Sequence, residues 1–586
     1  MQIKKILDLI FLLPKNFFLY FCIYFTLTIL TIIFELIGFS LLLPLLTMLS
    51  NNEVNIDSFP SIVSSLNEIT SKFLSFDYLQ NLKSVTIIIF SIFLIKIFFQ
   101  FLLIWITAKI AKNAQQFYFV ELFKSYLNKS YKFHQKNSPS ILFRNLTAEV
   151  SNFATTILFG LLTVLSEISI LISIFFFIFL IEPQIIYVIL LLISIIILIY
   201  KASKKILIVY GEKRAFFEEK RISILKNSLV NIKDIIVYDL TKKFTENLSY
   251  FNYSLQFSAY IQRIVSSVPR YLFEITGVLI LVITIFLFGN NEDGNSFKII
   301  GIFLLAAFRS MPSISRILST FQQFTFFGPS LIIIHKELLK NILKPVKIKK
   351  KQSTFELLKT ISFKNVHYEY PSDNNIKSTK VLDNINISFQ KGDKIGITGE
   401  SGFGKSTMAD LLLGLIFPMK GQIIIDEKNL NEMNSFQWRK NIGYVGQKVN
   451  LLSSGIKENI VLDQKFNKNK FFEIIDKCAL KNLYQKRALD KNLNNRMTNK
   501  ISGGEMQRIG IARALYQSPS ILILDEATNA LDFKTEKRIL NYIYSIKKNT
   551  LFIIAHNNRA LFGCNKILNF YQKGKVKLKT LNNINL

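Results

Sequence analysis

About six apolar runs of the length a helix needs to cross hydrocarbon, roughly 20 residues, lie near residues 17–48, 85–108, 153–181, 184–200, 271–289 and 299–328. Nothing else in the chain restricts its fold so tightly. In hydrocarbon every backbone N–H and C=O must be satisfied within its own segment, so such runs form helices and together make an all-α transmembrane domain. The connections at 109–150 and 201–265 are long and rich in Lys and Arg, whereas 49–84, the turn at Glu182 and Pro183, and 289–298 are not. The positive-inside bias then assigns the basic connections, and both ends of the chain, to the cytoplasmic side. Lys4, Lys5 and Lys15 precede or open the first run, which is too long for a signal sequence and reads as a retained transmembrane helix.

The basic connections keep a helical alternation of apolar and charged residues, over Lys112 to Tyr131 and Lys213 to Lys243, so the membrane helices are expected to continue into the cytoplasm. Their distal turns, near His134 to Arg144 and Arg214 to Arg221, would carry motion between the two halves of the chain. Between the first two runs, Ile62, Leu66, Ile69 and Phe73 recur at helical spacing behind Pro60 and Ser61, which suggests a short amphipathic helix on the outer side.

The character of the chain changes near residue 345. We divide it into a transmembrane domain at 1–345, a polar, Lys-rich linker at 346–360 and a second domain at 361–586. In the last, short β-branched runs at Lys394 to Thr398, Gln422 to Asp426, Ile521 to Asp525 and Leu551 to Ala555 alternate with helical stretches, the pattern of an α/β domain with a largely parallel sheet.

The net charge of +32 comes from 72 Lys and Arg against 40 Asp and Glu. It reflects an Ile, Asn, Lys and Phe-rich background and the basic cytoplasmic connections; no basic groove with stacking aromatics stands out, so nucleic acid is not an expected partner. Cys22, Cys478 and Cys564 have neither the pairing nor the spacing of a disulfide or zinc framework.

Gly399-Glu400-Ser401-Gly402-Phe403-Gly404-Lys405-Ser406-Thr407 follows an apolar strand and opens a helical stretch from Met408 to Leu415. That is the context of a phosphate-binding P-loop: glycines turn backbone N–H groups inward, the helix N-terminus adds its dipole, Lys405 meets the β and γ phosphates, and Ser406 ligates Mg2+. Ile521 to Leu524 ends in Asp525 and Glu526, where the first carboxylate can hold the magnesium shell and the second can polarise an attacking water.

Ile501-Ser502-Gly503-Gly504-Glu505 resembles the signature motif of ATP-binding-cassette (ABC) transporters, and the resemblance extends over the chain. It implies that Tyr370, before Pro371, stacks on adenine; that Gln447 senses Mg2+ and the membrane helices; that His556 touches the γ phosphate; and that Asn529-Ala530-Leu531-Asp532 is the D-loop, with Ser502, Gly503, Gly504 and Asp532 facing nucleotide. Four positions depart from the family pattern: Gly446 replaces Pro, Glu505 replaces Gln, Asn557 follows the histidine, and Asn492 to Asn499 lacks the usual Gly-Glu pair. The implied protein is an ATPase coupled to transport, using ATP and Mg2+, multi-pass in a bacterial cytoplasmic membrane. With one P-loop and one signature per chain, and each nucleotide held between the P-loop of one subunit and the signature of another, the resemblance implies a homodimer.

Substrate is to be sought in the membrane half, where an ionisable group near the bilayer centre costs about 2.5 to 3.5 kcal/mol on the insertion scale and so faces a cavity or a partner. Lys96, Arg270, Arg309 and Arg316 lie in or beside the apolar runs. At about 1.5 Å per residue, Lys96 and Arg309 sit roughly 16 Å below the outer ends of their helices, and Arg270 and Arg316 roughly 28 Å. Two readings stand: a tiered cationic cavity for an anionic, lipid-like substrate, or cations paired with neighbours, Arg270 with Glu274 and Lys96 with Glu35 or Glu167, while Arg316 snorkels to the inner interface. Val268-Pro269-Arg270 to Glu274, Arg309 to Arg316 and the external helix resemble the bacterial flippase of lipid-linked oligosaccharides, with Lys96 where that family has Arg. That resemblance implies a polyprenyl-pyrophosphate-linked glycan, engaged by Lys96, Arg270, Arg309 and Arg316, together with contact to membrane lipid. The alternative is an exporter of hydrophobic drugs or other lipids.

Overall fold

The computed structural model describes residues 2–49, 82–181, 183, 185–288, 295–342, 359–370, 379–433, 435–452, 454–489, 501–555 and 557–580. The external helix around Ile62 to Phe73, most of the linker, Glu182, Pro371, Asn492 to Asn499 and His556 fall outside them. The chain divides into two compact units, one of Met1–Lys129 with Phe133–Val346, the other of Lys347–Leu586 with Ser130–Lys132.

Long helices make up the first unit: Asn16–Leu49, Leu82–Leu127, a run from Pro139 to Ile181, Ile185–Val230, Thr241–Phe288 and Asn295–Phe326. They coincide with the six apolar runs and carry most of them well beyond membrane thickness. Among the described residues, Asn16–Gly38, Thr86–Leu127 and Pro139–Leu180 are each long and apolar enough to cross a membrane, and Arg309–Phe326 bends by 57° into Gly328–Leu339. Outward faces remain apolar, with Leu94, Ile97, Phe101 and Ile104 all exposed. Hydrocarbon, not water, is the medium that tolerates such a surface.

Polar atoms close several of the inter-helix contacts. The Tyr24 hydroxyl donates to Leu162 O at 2.6 Å and the Tyr118 hydroxyl to Leu9 O at 2.8 Å, each within an apolar cluster that includes Ile106, Phe153 and Ile334. The run from Pro139 is not a plain α-helix: Asn145–Glu149 and Phe153–Leu158 are π-helical turns. Each wide turn alters which face its residues present, and Glu149 and Phe153 are both fully buried there. Pro269 and Pro312 lie inside continuous helices.

The expected helix over Lys213 to Lys243 is interrupted. It stops at Val230, resumes as Ile232–Val237 and stops again before Thr241, with Asp239 at φ 49°. A left-handed residue cannot propagate a right-handed helix, so the chain reverses there.

The second unit contains ten strands among the described residues. Thr360–Tyr370 (β1), Thr379–Gln390 (β2), Lys420–Ile425 (β4) and Lys428–Asn429 (β5) form an antiparallel sheet in the order β2-β1-β4-β5. Lys394–Gly399 (β3), Ile442–Val445 (β6), Ile521–Asp525 (β7), Thr550–Ile554 (β8), Lys566–Gln572 (β9) and Lys575–Thr580 (β10) form the other, ordered β10-β9-β3-β8-β7-β6. All its pairings are parallel except β9 with β10.

Thus the strand expected at Gln422 to Asp426 does not join the parallel sheet. A tight turn through Asp426 and Glu427, both at positive φ, folds it back on β5, and β1 takes its other edge. Asp426 fixes that corner by accepting from the N–H groups of Lys359 and Thr360 at 2.7 and 2.8 Å. β3, β7 and β8 are buried along almost their whole length and end on one side of the sheet, which is where ligands bind in open α/β folds.

Candidate functional site

At the end of β3 the chain enters a loop that only glycine can trace. Gly399 and Gly404 sit at φ 137° and 110°, and a Cβ would meet Phe570 O at 2.6 Å in the first case and Val381 O at 2.9 Å in the second. Gly404 caps the helix Lys405–Leu412, which begins three residues earlier than the hydropathy suggested. Lys405 is buried, and its Nζ donates to Gly399 O at 2.6 Å and Glu400 O at 3.0 Å, so the ammonium lies under the loop. The Tyr370 hydroxyl lies 3.3 Å from Thr407 Oγ1, which brings that aromatic beside the same helix. A glycine cradle, a helix N-terminus and an ammonium fit a polyphosphate.

β7 brings Asp525 and Glu526 to the same end of the sheet. Burial and the neighbouring Glu526 push Asp525 upward, and Lys405 opposes them. Glu526, at φ 52°, turns out of the strand, and its N–H donates to Ile554 O at 3.0 Å. Its Oε2 accepts from Gln447 Nε2 at 2.8 Å and from Asn529 Nδ2 at 3.0 Å, so Gln447 and Glu526, far apart in sequence, meet directly. The Ser406 hydroxyl, the Asp525 carboxylate and the Gln447 amide oxygen are hard donors of the kind Mg2+ takes, with water completing the shell. Among the described residues no group of three or more His, Cys, Asp or Glu forms a metal cage.

Asp410, in the P-loop helix, was not singled out by sequence. Burial, then the nearby Asp525, pushes it up to about 6 from its usual 3.8. Because its folded value lies above its unfolded one, its contribution to stability is full below about 3.8 and is lost as pH rises through about 6. Asp410→Asn is therefore expected to raise the melting temperature above pH 6 and to flatten its fall between pH 4 and 6. Parallel melting curves for variant and wild type over that range would contradict this.

In the membrane half each of the four cations meets a carboxylate. Glu35, 1% exposed, binds Lys96 Nζ at 2.8 Å and both Nε and Nη2 of Arg309, the latter at 3.1 Å. Arg316 pairs with Glu167 at 2.9 Å and Arg270 with Glu274 at 3.1 Å. The equal depth inferred for Lys96 and Arg309 agrees with their sharing one carboxylate. Arg316, which the paired reading let snorkel to the inner interface, pairs with Glu167 instead; its side chain and that of Arg270 stay 51% and 74% exposed, against 8% for Lys96.

The profile of the "ABC transporter transmembrane region" matches residues 17–312, just over half of the chain. The chain belongs to the ABC transporter family. A second profile, "ABC transporter", matches residues 382–529. Similar proteins include an export ATP-binding/permease protein of Rickettsia bellii, 36% identical over 37% of this chain and 38% of that protein, and the alpha-hemolysin translocation ATP-binding protein HlyB of Escherichia coli O157:H7, 39% identical over 36% and 30%. The alignments thus span less than two fifths of these relatives' length. A solved bacterial Atm1-family ABC exporter with ATP bound superposes with a TM-score of 0.77 over 97% of this chain and 96% of its own, at 16% identity, and so shares the fold.

Within this ABC transporter, one departure from the family pattern has a local explanation. Glu505 closes a capping box: its N–H donates to Ser502 Oγ at 3.3 Å and its Oε2 accepts from Ser502 N at 2.8 Å, fixing the start of the helix Gly503–Tyr516. Gly504 sits against the D-loop, where a Cβ would meet Ala530 O at 2.8 Å. Asp532 caps the helix Phe533–Ser545 by accepting from Thr535 N at 3.0 Å, a bond that lowers its proton affinity. Sequence reasoning missed Asn459, fully buried and bound to the carbonyls of Leu452, Ser454 and Gly455, and the job of Arg513, in the run after the signature motif, which clamps it at 2.8 Å. Together they hold the loop after Gln447. Asn459 carries no chemistry, so no motif announces it.

The charge cluster in the helical extensions likewise went unseen. Glu149 accepts from Arg214 Nη2 at 2.9 Å and from the Ser330 hydroxyl, while Arg144 pairs with Glu219 at 2.8 Å and lies 3.7 Å from Glu149. Arg144 thus ties the end of one expected turn to Glu219, but Arg214 to Arg221 is not a distal turn: it lies within the helix Ile185–Val230, and the chain reverses only beyond it, near Asp239, where the left-handed backbone ends the helix.

Proposed function

We propose that this chain is one half of a homodimeric ATP-driven exporter in a bacterial cytoplasmic membrane. It would move an anionic lipid-linked substrate, a polyprenyl-pyrophosphate-linked oligosaccharide or a similar glycolipid, from the inner to the outer leaflet. ATP with Mg2+ supplies the driving chemistry when bound. Lys405 and the glycine loop hold the phosphates, Ser406, Asp525 and Gln447 hold the cation, Glu526 polarises water, and Tyr370 stacks on the base. His556, Ser502, Gly503, Gly504 and Asp532 complete the site across the dimer in this reading.

The observation that supports an anionic substrate is the stoichiometry at Glu35: two cations share one carboxylate, which leaves that buried cluster with an excess of one positive charge. Arg316 and Arg270, more exposed than either, give a second pair of guanidiniums that match phosphate oxygens in bidentate fashion.

The test is flipping and ATP hydrolysis measured together on Arg309→Gln/Arg316→Gln in liposomes. Each lost charge-assisted bond is worth about 1.5 to 3 kcal/mol, so flipping of a polyprenyl-pyrophosphate glycan should fall by orders of magnitude, far more than ATP hydrolysis. Unimpaired flipping would move the assignment to an exporter of hydrophobic drugs or other lipids.

A further inference from the structure

Glu526 is held by more than the loop residue Gln447. After β7 the chain turns through Glu526 and returns at once, with Asn529 N donating to Glu526 O at 3.3 Å, and this tight turn swings the Asn529 side chain back over the carboxylate. Asn529 Nδ2 and Gln447 Nε2 donate to the same oxygen, Oε2, at 3.0 and 2.8 Å. The next residue is anchored from elsewhere: the Ala530 N–H donates to Oε1 of Gln507, a buried side chain on the helix Gly503–Tyr516. Gly504, in the first turn of that helix, leaves just enough room for Ala530 O.

We propose that Asn529 is a positioning residue that aims the Glu526 carboxylate, and that Gln507 holds Asn529 in register through Ala530. This rests on the reading of Glu526 as the group that polarises water. Two donors from separate segments remove the rotational freedom of a carboxylate that Gln447 alone would leave able to swing. Serine at position 529 would be shorter by one heavy atom and would reach Oε2 less well. Aspartate has the shape of asparagine but offers no donor and places a second negative charge beside Glu526. The same chain segment therefore connects the turn at Ser502 to the carboxylate, through Gln507, Ala530 and Asn529 in order.

The experiment is steady-state and single-turnover ATP hydrolysis by the purified full-length protein. Asn529→Ala should lower kcat about tenfold, the rate equivalent of losing one bond to a charged group, with KM for ATP unchanged. Asn529→Asp should lose at least as much, Asn529→Ser should recover part, and Gln507→Ala should show a smaller loss of the same kind. In a Glu526→Gln background, Asn529→Ala should have no further effect in single turnover, because the group it positions is gone. Wild-type kcat in both Asn529→Ala and Asn529→Asp would overturn the proposal. So would an additive loss in the Glu526→Gln background, or a rise in KM with kcat unchanged, each the mark of a structural role. Glu526→Gln turning over at the wild-type rate would instead remove the assignment of Glu526 itself. An inactive Glu526→Gln beside fully active Asn529 variants would sink the positioning role alone. If Asn529→Ala folds poorly, Asn529→Ser and Asn529→Asp decide between these outcomes.

Discussion

Glu526→Gln should reduce ATP hydrolysis by about 10² to 10⁴-fold, the usual contribution of a positioned acid or base, and should leave nucleotide binding intact. The amide keeps the shape of the side chain and one oxygen to accept from Gln447 and Asn529, which approach at 2.8 and 3.0 Å. It loses the negative charge proposed to draw a proton from water as the phosphoryl group departs, and phosphoryl transfer depends on positioning and charge more than on covalent chemistry. The groups proposed to hold phosphate, Lys405 and the Gly399 to Gly404 loop, are untouched. Bound nucleotide should therefore persist and a closed dimer accumulate. Equilibrium ATP binding and turnover on the same preparation check both halves of this expectation; turnover at the wild-type rate would contradict it.

Glu149→Ala should be the most destabilising single substitution in the helical extensions, by about 3 to 5 kcal/mol. Glu149 is fully buried and is the only carboxylate paired with Arg214 among the described residues. Removing it leaves the Arg214 guanidinium buried with Ser330 Oγ, at 3.1 Å, and the face of Phe327 as its neighbours. Arg144 fares better, since Glu219, Asn145 Oδ1 and Ala215 O still accept from it. Glu149→Gln should cost less than Ala, because its amide oxygen can still accept from Arg214. Thermal unfolding of the purified variants measures the order. A Glu149→Ala protein that melts with wild type would mean that water reaches Arg214 without cost.

Elements whose work requires contiguous residues were readable at once. A phosphate loop needs glycines, a lysine and a hydroxyl in one short run between strand and helix, so Gly399 to Thr407 declared both its local structure and its position at the end of β3. The same is true of Ile521 to Glu526, an apolar strand with acids at its tip. Pairing choices were less legible. Gln422 to Asp426 has the propensity of a strand, but propensity does not say which sheet a strand joins, and the corner at Asp426 and Glu427 decided for the antiparallel one. The breaks at Asn231 and Asp239 escaped for a similar reason, since neither Gly nor Pro marks them.

By itself, then, the sequence determined that this chain is helical in its first half, α/β in its second, and equipped with the nucleotide-binding residues of an ABC transporter, because hydrocarbon and phosphate each impose their demands on consecutive residues. Tertiary structure alone decided how the charges are shared. Glu35 takes both Lys96 and Arg309, Glu167 takes Arg316, Glu149 is enclosed between Arg144 and Arg214, and Asn529 closes on Glu526 beside Gln447. A Coulomb partner is chosen by distance in space, and that distance is set by how helices pack and where π turns and tight corners rotate a side chain, neither of which is written in the spacing along the chain.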